Sequence, residues 1–331
     1  MIASPAPSVM PRRLVAVVVT YNRLDKLKVT LARLLDSPAE ELAQVVVVNN
    51  ASTDGTADWL ATQDNQRLDI RTSATNSGGA GGFESGMRHA METHRPDWLV
   101  VMDDDGRPEP GALAAFHALP EGKWDAVAAA VYFPSGEICE MNRPSRNPFW
   151  HLPEFLRTLM GGGRSGFHIE PRHYQGDALQ IDVTSFVGFF ISADVVRRIG
   201  YPDPSLFIYG DDGIYTLGLS KSGERIGFEP GVRFEHDLTS FQGQGSVVQN
   251  GKLTPLWKIY YYHRNLLLLY RLAAGVLFWP AMLVILPKWR LKARHYGADQ
   301  KIFLRLLRRA IWDGLLRRPG LSHAEVLRRS K

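Results

Sequence analysis

Trp98-Leu99-Val100-Val101-Met102-Asp103-Asp104-Asp105-Gly106-Arg107-Pro108 decides the reading of this chain. An apolar run ends on three adjacent carboxylates, and a Gly-Arg-Pro turn follows at once. Neighbouring carboxylates repel one another, so ending a buried strand on them is costly unless positive charge belongs there. A divalent cation carrying a diphosphate meets that need. Hard oxygen ligands suit Mg²⁺ or Mn²⁺, ions that keep positions open for phosphate oxygens. By itself the triplet also fits an acidic solvated turn.

Upstream, residues 14–19 (LVAVVV) and 45–48 (VVVV) are continuous β-branched runs, the pattern of strands buried on both faces. Residues 24–35 place Leu27, Leu31, Leu34 and Leu35 on one helical face. A turn at 49–55, a helix over 56–62, a short strand over 69–72 and a glycine-rich loop over 78–82 follow, the loop leading into a helix that ends near residue 94. Strands alternating with helices predict an α/β protein with a doubly wound sheet. Ligands of such sheets lie outside the carboxyl ends of the strands. Asn22, Asn49 and the aspartate triplet all follow strand ends, so they should converge on one crevice. Residues 126–132 and 181–191 read as further strands, with an irregular segment rich in Pro, Gly and Arg over 144–166.

The glycine-rich segment is not a dinucleotide fingerprint, since Glu84 stands where a third glycine would be needed. It is not a Walker loop either, for it has no Gly-Lys-Ser/Thr. A second acidic pair, Asp211-Asp212, follows Phe207-Ile208-Tyr209-Gly210, and Phe234-Glu235-His236-Asp237 supplies a histidine capable of binding a metal. Alone, the pair also fits a helix N-cap, and His236 a hydrogen-bonded histidine at a strand end.

Taken in order, VVVTYNR (17–23), VVVVNNASTDGT (45–56), NSGGAGGF (76–83), MDDDGRPEP (102–110), FVGFF (186–190), FIYGDD (207–212) and FEHD (234–237) resemble a family 2 glycosyltransferase of GT-A fold. NSGGAGGF with DDDGRP is most similar to the bacterial galactofuranosyl- and rhamnosyltransferase branch, which builds cell-wall and surface polysaccharides. The resemblance implies a mixed doubly wound sheet and an inverting transfer of galactofuranose from UDP, or rhamnose from dTDP, to a glycan hydroxyl. It implies that Thr20 and Asn49 line the nucleotide base, the Asn49 oxygen accepting a base N–H where the family more often has Asp. Asn22, Arg23, Asn76, Gly79, Gly81, Asp103 and Asp104 would complete the nucleotide-sugar site. Asp105 would bind Mn²⁺ or Mg²⁺ directly, with Asp103 on the ribose or metal side and His236 completing the shell. Asp212 would be the general base, with Asp211 beside it binding acceptor hydroxyls. Phe189 and Phe190 stand where a Trp pair would face the acceptor, while Gly210 and Ile214 replace a family Trp and a third Asp.

The chain has 331 residues, 45% of them hydrophobic and 22% charged, which is ordinary for a large globular domain with an appendage. Its single cysteine, Cys139, rules out an internal disulfide framework and a cysteine-based zinc cluster, and fits a reducing compartment. Residues 1–13 lack signal-peptide features and read as a flexible lead-in. Residues 14–245 form the expected catalytic domain and 246–331 a helical, basic region.

That last region is unusual in charge. Residues 254–331 hold 16 Lys+Arg against 3 Asp+Glu, a net +13, while residues 1–253 carry −8. Residues 272–287 are apolar but for Gly275 and Pro280, which is short of the ~20 residues of a spanning helix. Residues 302–312 alternate Ile, Leu and Trp with Arg305, Arg308 and Arg309, the pattern of a basic helix on an anionic membrane surface. The same pattern also fits a packed helical or homo-oligomer-forming region. No recognition motif accompanies the charge, so nucleic acid is not an expected partner. The expected setting is the cytoplasmic face of the bacterial inner membrane, peripherally bound with a lipid-linked glycan as acceptor, or the cytoplasm. A nucleotidyltransferase and a silent sugar-nucleotide-fold scaffold on membranes are the competing readings.

Overall fold

The computed structural model describes residues 12–238, 252–318 and 320–331. The expected flexible lead-in lies almost wholly outside them, as does the expected boundary at 245/246.

The three apolar runs are β1 (Leu14–Thr20), β2 (Gln44–Asn49) and β4 (Trp98–Asp103), and every residue of β1 is buried. Between them lie α1 (Leu24–Asp36), α2 (Thr56–Ala61), β3 (Leu68–Thr72) and α3 (Gly78–His94). The chain continues through β5 (Gly106–Pro108), α4 (Ala112–His117), β6 (Ala126–Tyr132), α5 (Leu152–Arg157), β7 (Leu179–Ile181), β8 (Phe189–Ser192), α6 (Ala193–Ile199), α7 (Asp211–Lys221) and β9 (Ile226–His236). The sheet runs β3-β2-β1-β4-β8-β6-β9-β5, with β7 paired to β9 off that path. β1, β2, β3 and β4 pair in parallel, whereas β8 lies antiparallel between β4 and β6. The sheet is therefore mixed, with one hydrophobic core on each face.

Two expectations need correction. The stretch 181–191 is not one strand. Gly188 adopts φ +66, and a Cβ there would lie 2.7 Å from the Phe234 ring and 2.8 Å from the Ala129 Cβ, so the chain turns at a residue only glycine can occupy. The glycine-rich segment is not a loop but the first turns of α3. A Cβ on Gly82 would come within 2.5 Å of Val19, and one on Gly86 within 2.6 Å of Val17. These glycines bring the helix down onto β1, a close approach that outweighs their poor helix propensity.

The C-terminal region is a third core built on α8 (Lys258–Ala274), α9 (Phe278–Leu291), α10 (Gln300–Leu315) and α11 (His323–Arg329). The apolar stripe of α10, with Phe303, Leu306, Leu307 and Ala310, is buried in that core. This corrects the membrane-surface reading of residues 302–312, whose apolar face is used internally. Trp312 alone of the large apolar residues in that stretch is exposed; other exposed apolar side chains of the region cluster at Val276, Leu277, Trp279, Leu283 and Val284.

Candidate active site

Strand register assembles the site. Thr20 is level with Asn49 across β1 and β2, and Val19 with Asp103 across β1 and β4, so three adjacent strands end together. The antiparallel pairing of β5 with β9 sets Gly106 opposite His236. His236 is thereby delivered to the aspartates from 131 positions downstream: its Nε2 lies 3.2 Å from Asp105 Oδ1.

The three aspartates differ in environment. Asp104 is buried, accepting from the Thr20 hydroxyl at 2.7 Å and from Arg23 at 3.3 Å. Thr20 and Asp104 thus satisfy each other inside the protein, at the ends of β1 and β4. Arg23 also donates to Asp105 Oδ2 at 2.6 Å. Burial, and then the charges of Asp105 and Asp104, push the Asp103 carboxyl upward. Burial opposes ionisation of Asp105 too, but the hydrogen bond and charge of His236, with Arg23, hold it below the ordinary carboxylate range. Burial would lower His236, yet Asp105 overrides it and pushes the imidazole up to about 10. In the absence of a cation, His236 and Arg23 therefore balance part of the negative charge of the three carboxylates.

The other carboxylates lie in the first turn of α7. Gly210, at φ +75, is the N-cap, so neither Asp211 nor Asp212 caps the helix. A first-turn carboxylate is favoured by the helix dipole. Burial raises Asp211 well above its usual range, helped by Asp212 and, more weakly, by the negative charge of Asp103. That last coupling places Asp103 and Asp211 within electrostatic reach of each other. Burial also raises Asp212, whose Oδ1 accepts from the Gly213 N–H at 2.6 Å. A carboxylate with a raised pKa is a competent proton acceptor from a hydroxyl.

Several predicted residues make local contacts that shape the turns around the site. Asn49 is fully buried, and its Oδ1 accepts from the Ser52 N–H at 3.0 Å. One lone pair of its oxygen serves the turn. Asn22, at φ +55, accepts from the Thr53 N–H at 2.6 Å. Asn76 Oδ1 accepts from the Gly78 N–H at 2.8 Å and starts α3. A Cβ on Gly81 would collide with Ser77 at 2.6 Å, whereas one on Gly79 would meet nothing within 4 Å. Phe189 and Phe190 correct another expectation. Neither is exposed; adjacent strand residues point to opposite faces, so Phe189 enters one core while Phe190 stacks on Phe116 at 4.3 Å in the other. No face of either ring is open to a sugar.

A metal fits this donor set in part. Asp105 and His236 offer a hard oxygen and an imidazole nitrogen 3.2 Å apart, a spacing one cation can bridge. His236 Nδ1 donates to Asn142 Oδ1 at 2.7 Å, which holds the ring with Nε2 toward Asp105. Asp103 does not join them as a close third ligand: among the described residues, the group of three whose ligand atoms all lie within 4.8 Å is a different one, Asp69, His89 and His94.

The model of glycosyl transferase family 2 matches residues 15–193, more than half of the chain. The galactofuranosyltransferase GlfT1 of Mycobacterium tuberculosis is 30% identical over 66% of this chain and 68% of its own length.

The chain belongs to glycosyl transferase family 2.

The undecaprenyl-phosphate mannosyltransferase of Micrococcus luteus is 27% identical over 71% of this chain and 89% of that protein. A mannosyltransferase of Pyrobaculum calidifontis, solved with GDP-Man and Mn²⁺, superposes with a TM-score of 0.52 over 93% of this chain and 88% of that one, at 17% identity. That likeness shows the GT-A fold. The chain is a glycosyltransferase by family.

Three asparagines of this family 2 transferase escape sequence reasoning. Asn50 donates to Asn76 and to the Gly78 carbonyl, tying the β2 turn to the start of α3. The doubled Asn49-Asn50 after a strand is the one local signal for it. Asn142 orients His236 from a short irregular segment with no local signal. Asn265 on α8 donates to the carbonyls of Leu206, Ile208 and Tyr209, at 2.8–2.9 Å, in the loop that leads to Asp211. That loop holds Phe207 and Tyr209 at positive φ, and Arg264 donates to the Ser205 carbonyl at 2.6 Å. The basic region is therefore a structural part of the site.

Asn265→Ala is expected to leave the protein folded but to lower kcat by roughly tenfold or more, since a misplaced base loses alignment. Unchanged kcat on a soluble acceptor would show that the loop holds its shape without α8.

Proposed function

We propose that this chain is an inverting, metal-dependent glycosyltransferase that moves galactofuranose from UDP, or rhamnose from dTDP, to a hydroxyl of a lipid-linked or growing cell-surface polysaccharide. The observations that support the reading are the Asp105–His236 pair and the charge coupling between its neighbour Asp103 and Asp211. Mn²⁺ or Mg²⁺ bound at Asp105 and His236 would supply charge neutralisation for the departing diphosphate. Asp103 and Arg23 flank that end of the donor. On the opposite side Asp212 takes the acceptor hydroxyl proton as that oxygen bonds to the anomeric carbon and the bond to the diphosphate oxygen breaks. Direct displacement inverts the centre. Asp211 binds acceptor hydroxyls. The relatives named as galactofuranosyltransferases favour the first donor, and the mannosyltransferase relative makes GDP-mannose the necessary comparison.

A screen of UDP-galactofuranose, dTDP-rhamnose and GDP-mannose for Mn²⁺-dependent hydrolysis and transfer tests this. The expected result is turnover of one of the first two. Turnover of GDP-mannose alone would overturn the donor class; nucleotide transfer from a triphosphate would overturn the transferase reading.

The acceptor reading rests on a surface. A run of helices over Lys258–Leu315 contains a long apolar stretch that is mostly not buried. It is broken at Gly275 and Gly297, both at positive φ, and α9 with its 14 residues reaches about 21 Å, short of a ~30 Å hydrocarbon core. Val276, Trp279 and Leu283 are exposed, with the Arg271 guanidinium 5.0 Å from the Trp279 ring and exposed Lys288 and Arg290 further along α9. A second exposed apolar group, Trp150, Leu152, Leu159 and Met160, belongs to a segment joined to the end of α8 by the bond from Asn147 to the Ala273 carbonyl. Apolar side chains bordered by basic ones suit peripheral insertion into an anionic leaflet, here the cytoplasmic face of the inner membrane. Flotation with anionic liposomes is expected to carry the protein up, and Trp279→Asp with Leu283→Asp to release it. A tail-dependent oligomer that ignores liposomes at low salt would overturn the membrane reading.

A further inference from the structure

The far end of α3 carries a cluster that the transferase chemistry does not use. Asp69 stands near the start of β3, and His89 and His94 lie in the last turns of α3. Both Nε2 atoms lie 2.7 Å from one oxygen, Asp69 Oδ2. α3 begins beside the crevice and spans 17 residues, about 25 Å, so this cluster sits at the opposite end of the sheet from Asp105 and His236.

We propose that Asp69, His89 and His94 form a second metal site that takes Zn²⁺ and rejects Mg²⁺. Two imidazoles and one carboxylate are a donor set for a borderline transition cation, whereas Mg²⁺ requires oxygen ligands. One ligand atom from each residue lies within 4.8 Å of the other two. His89 Nδ1 is engaged by the Thr93 hydroxyl at 3.3 Å, which leaves Nε2 as the ligating nitrogen. In the absence of a cation each Nε2 must carry a proton to bond Asp69. Zn²⁺ at about 2.0 Å from each ligand replaces both protons, and opening the 2.7 Å contacts to about 3.3 Å suits a tetrahedral site. The side chains are 14–22% exposed, enough for entry and for water as the fourth ligand. His94 is also the last residue of α3, where the negative end of the helix dipole favours a cation, although Arg13 already donates to the His94 carbonyl at 2.8 Å. The site would clamp the C-terminal end of α3 to the edge of the sheet and so steady the helix whose first turn borders the crevice.

The test is metal stoichiometry on the full chain, with Zn²⁺ as probe in excess Mg²⁺, for wild type, a His89→Ala/His94→Ala variant and His236→Ala. Wild type should hold Zn²⁺ and gain a higher thermal midpoint. The double variant should lose one equivalent together with that gain, and His236→Ala should keep both. A double variant that binds as much Zn²⁺ as wild type overturns the proposal, as does Zn²⁺ binding that disappears with His236→Ala. Should the double variant not fold, Asp69→Asn serves, with Zn²⁺ affinity weakened by roughly tenfold or more; unchanged affinity there overturns the proposal. None of these readouts needs turnover, so failure of the transferase reading would be distinguishable from failure of this one.

Discussion

Asp105→Ala is expected to abolish turnover, by roughly 10³-fold or more, and to remove the Mn²⁺ dependence of nucleotide binding. Several kcal/mol of charge stabilisation at the leaving group depend on a cation anchored there. The carboxylate is 1% exposed, with His236 Nε2 at 3.2 Å and Arg23 at 2.6 Å, so its removal also strands a buried imidazolium. Breaking such a pair costs stability as well, about 3–5 kcal/mol when both partners are fully buried. Arg23 is more exposed than that, which reduces its share. Asp105→Asn, which keeps the shape, separates the two effects. Calorimetry with UDP or dTDP, with and without Mn²⁺, provides the measurement, read beside a thermal midpoint. Unchanged metal-dependent affinity in a folded variant would sink the assignment of Asp105. His236→Ala should show the same loss in milder form.

Asp212→Asn is expected to keep donor binding while transfer falls by roughly 10²–10⁴-fold, because the amide cannot take the acceptor proton. Asp211→Asn should chiefly raise the acceptor KM. The two side chains occupy the same first turn of α7, Asp211 buried and Asp212 partly buried. Steady-state kinetics of both variants decide between them. An active Asp212→Asn beside a dead Asp211→Asn would exchange their roles, and activity in both would place the base outside this pair.

Much of the architecture is written locally. The runs at β1, β2 and β4 are strands because uninterrupted Val and Leu suit nothing but a sheet covered on both faces. The aspartates fall at a strand end because a buried strand cannot tolerate them earlier. The acidic pair and His236 were legible as residue types able to do chemistry.

Direction and distance were not legible. Phe189 and Phe190 belong to a strand whose two faces are both covered, so their burial follows from neighbours such as Phe116 and Phe234 that are remote in sequence. The glycines of 78–82 read as a loop by propensity, but packing against Val19 makes them helix. Residues 302–312 have the stripe of a membrane helix, and only the presence of α8 shows that the stripe is already covered. The sequence alone determined the strand–helix alternation, the strand-end aspartates and the charge asymmetry, because those depend on neighbours along the chain. The tertiary structure alone decided which aspartate meets His236, which carboxylates turn inward and what Asn265 holds, because each depends on contacts between segments that only the completed sheet brings together.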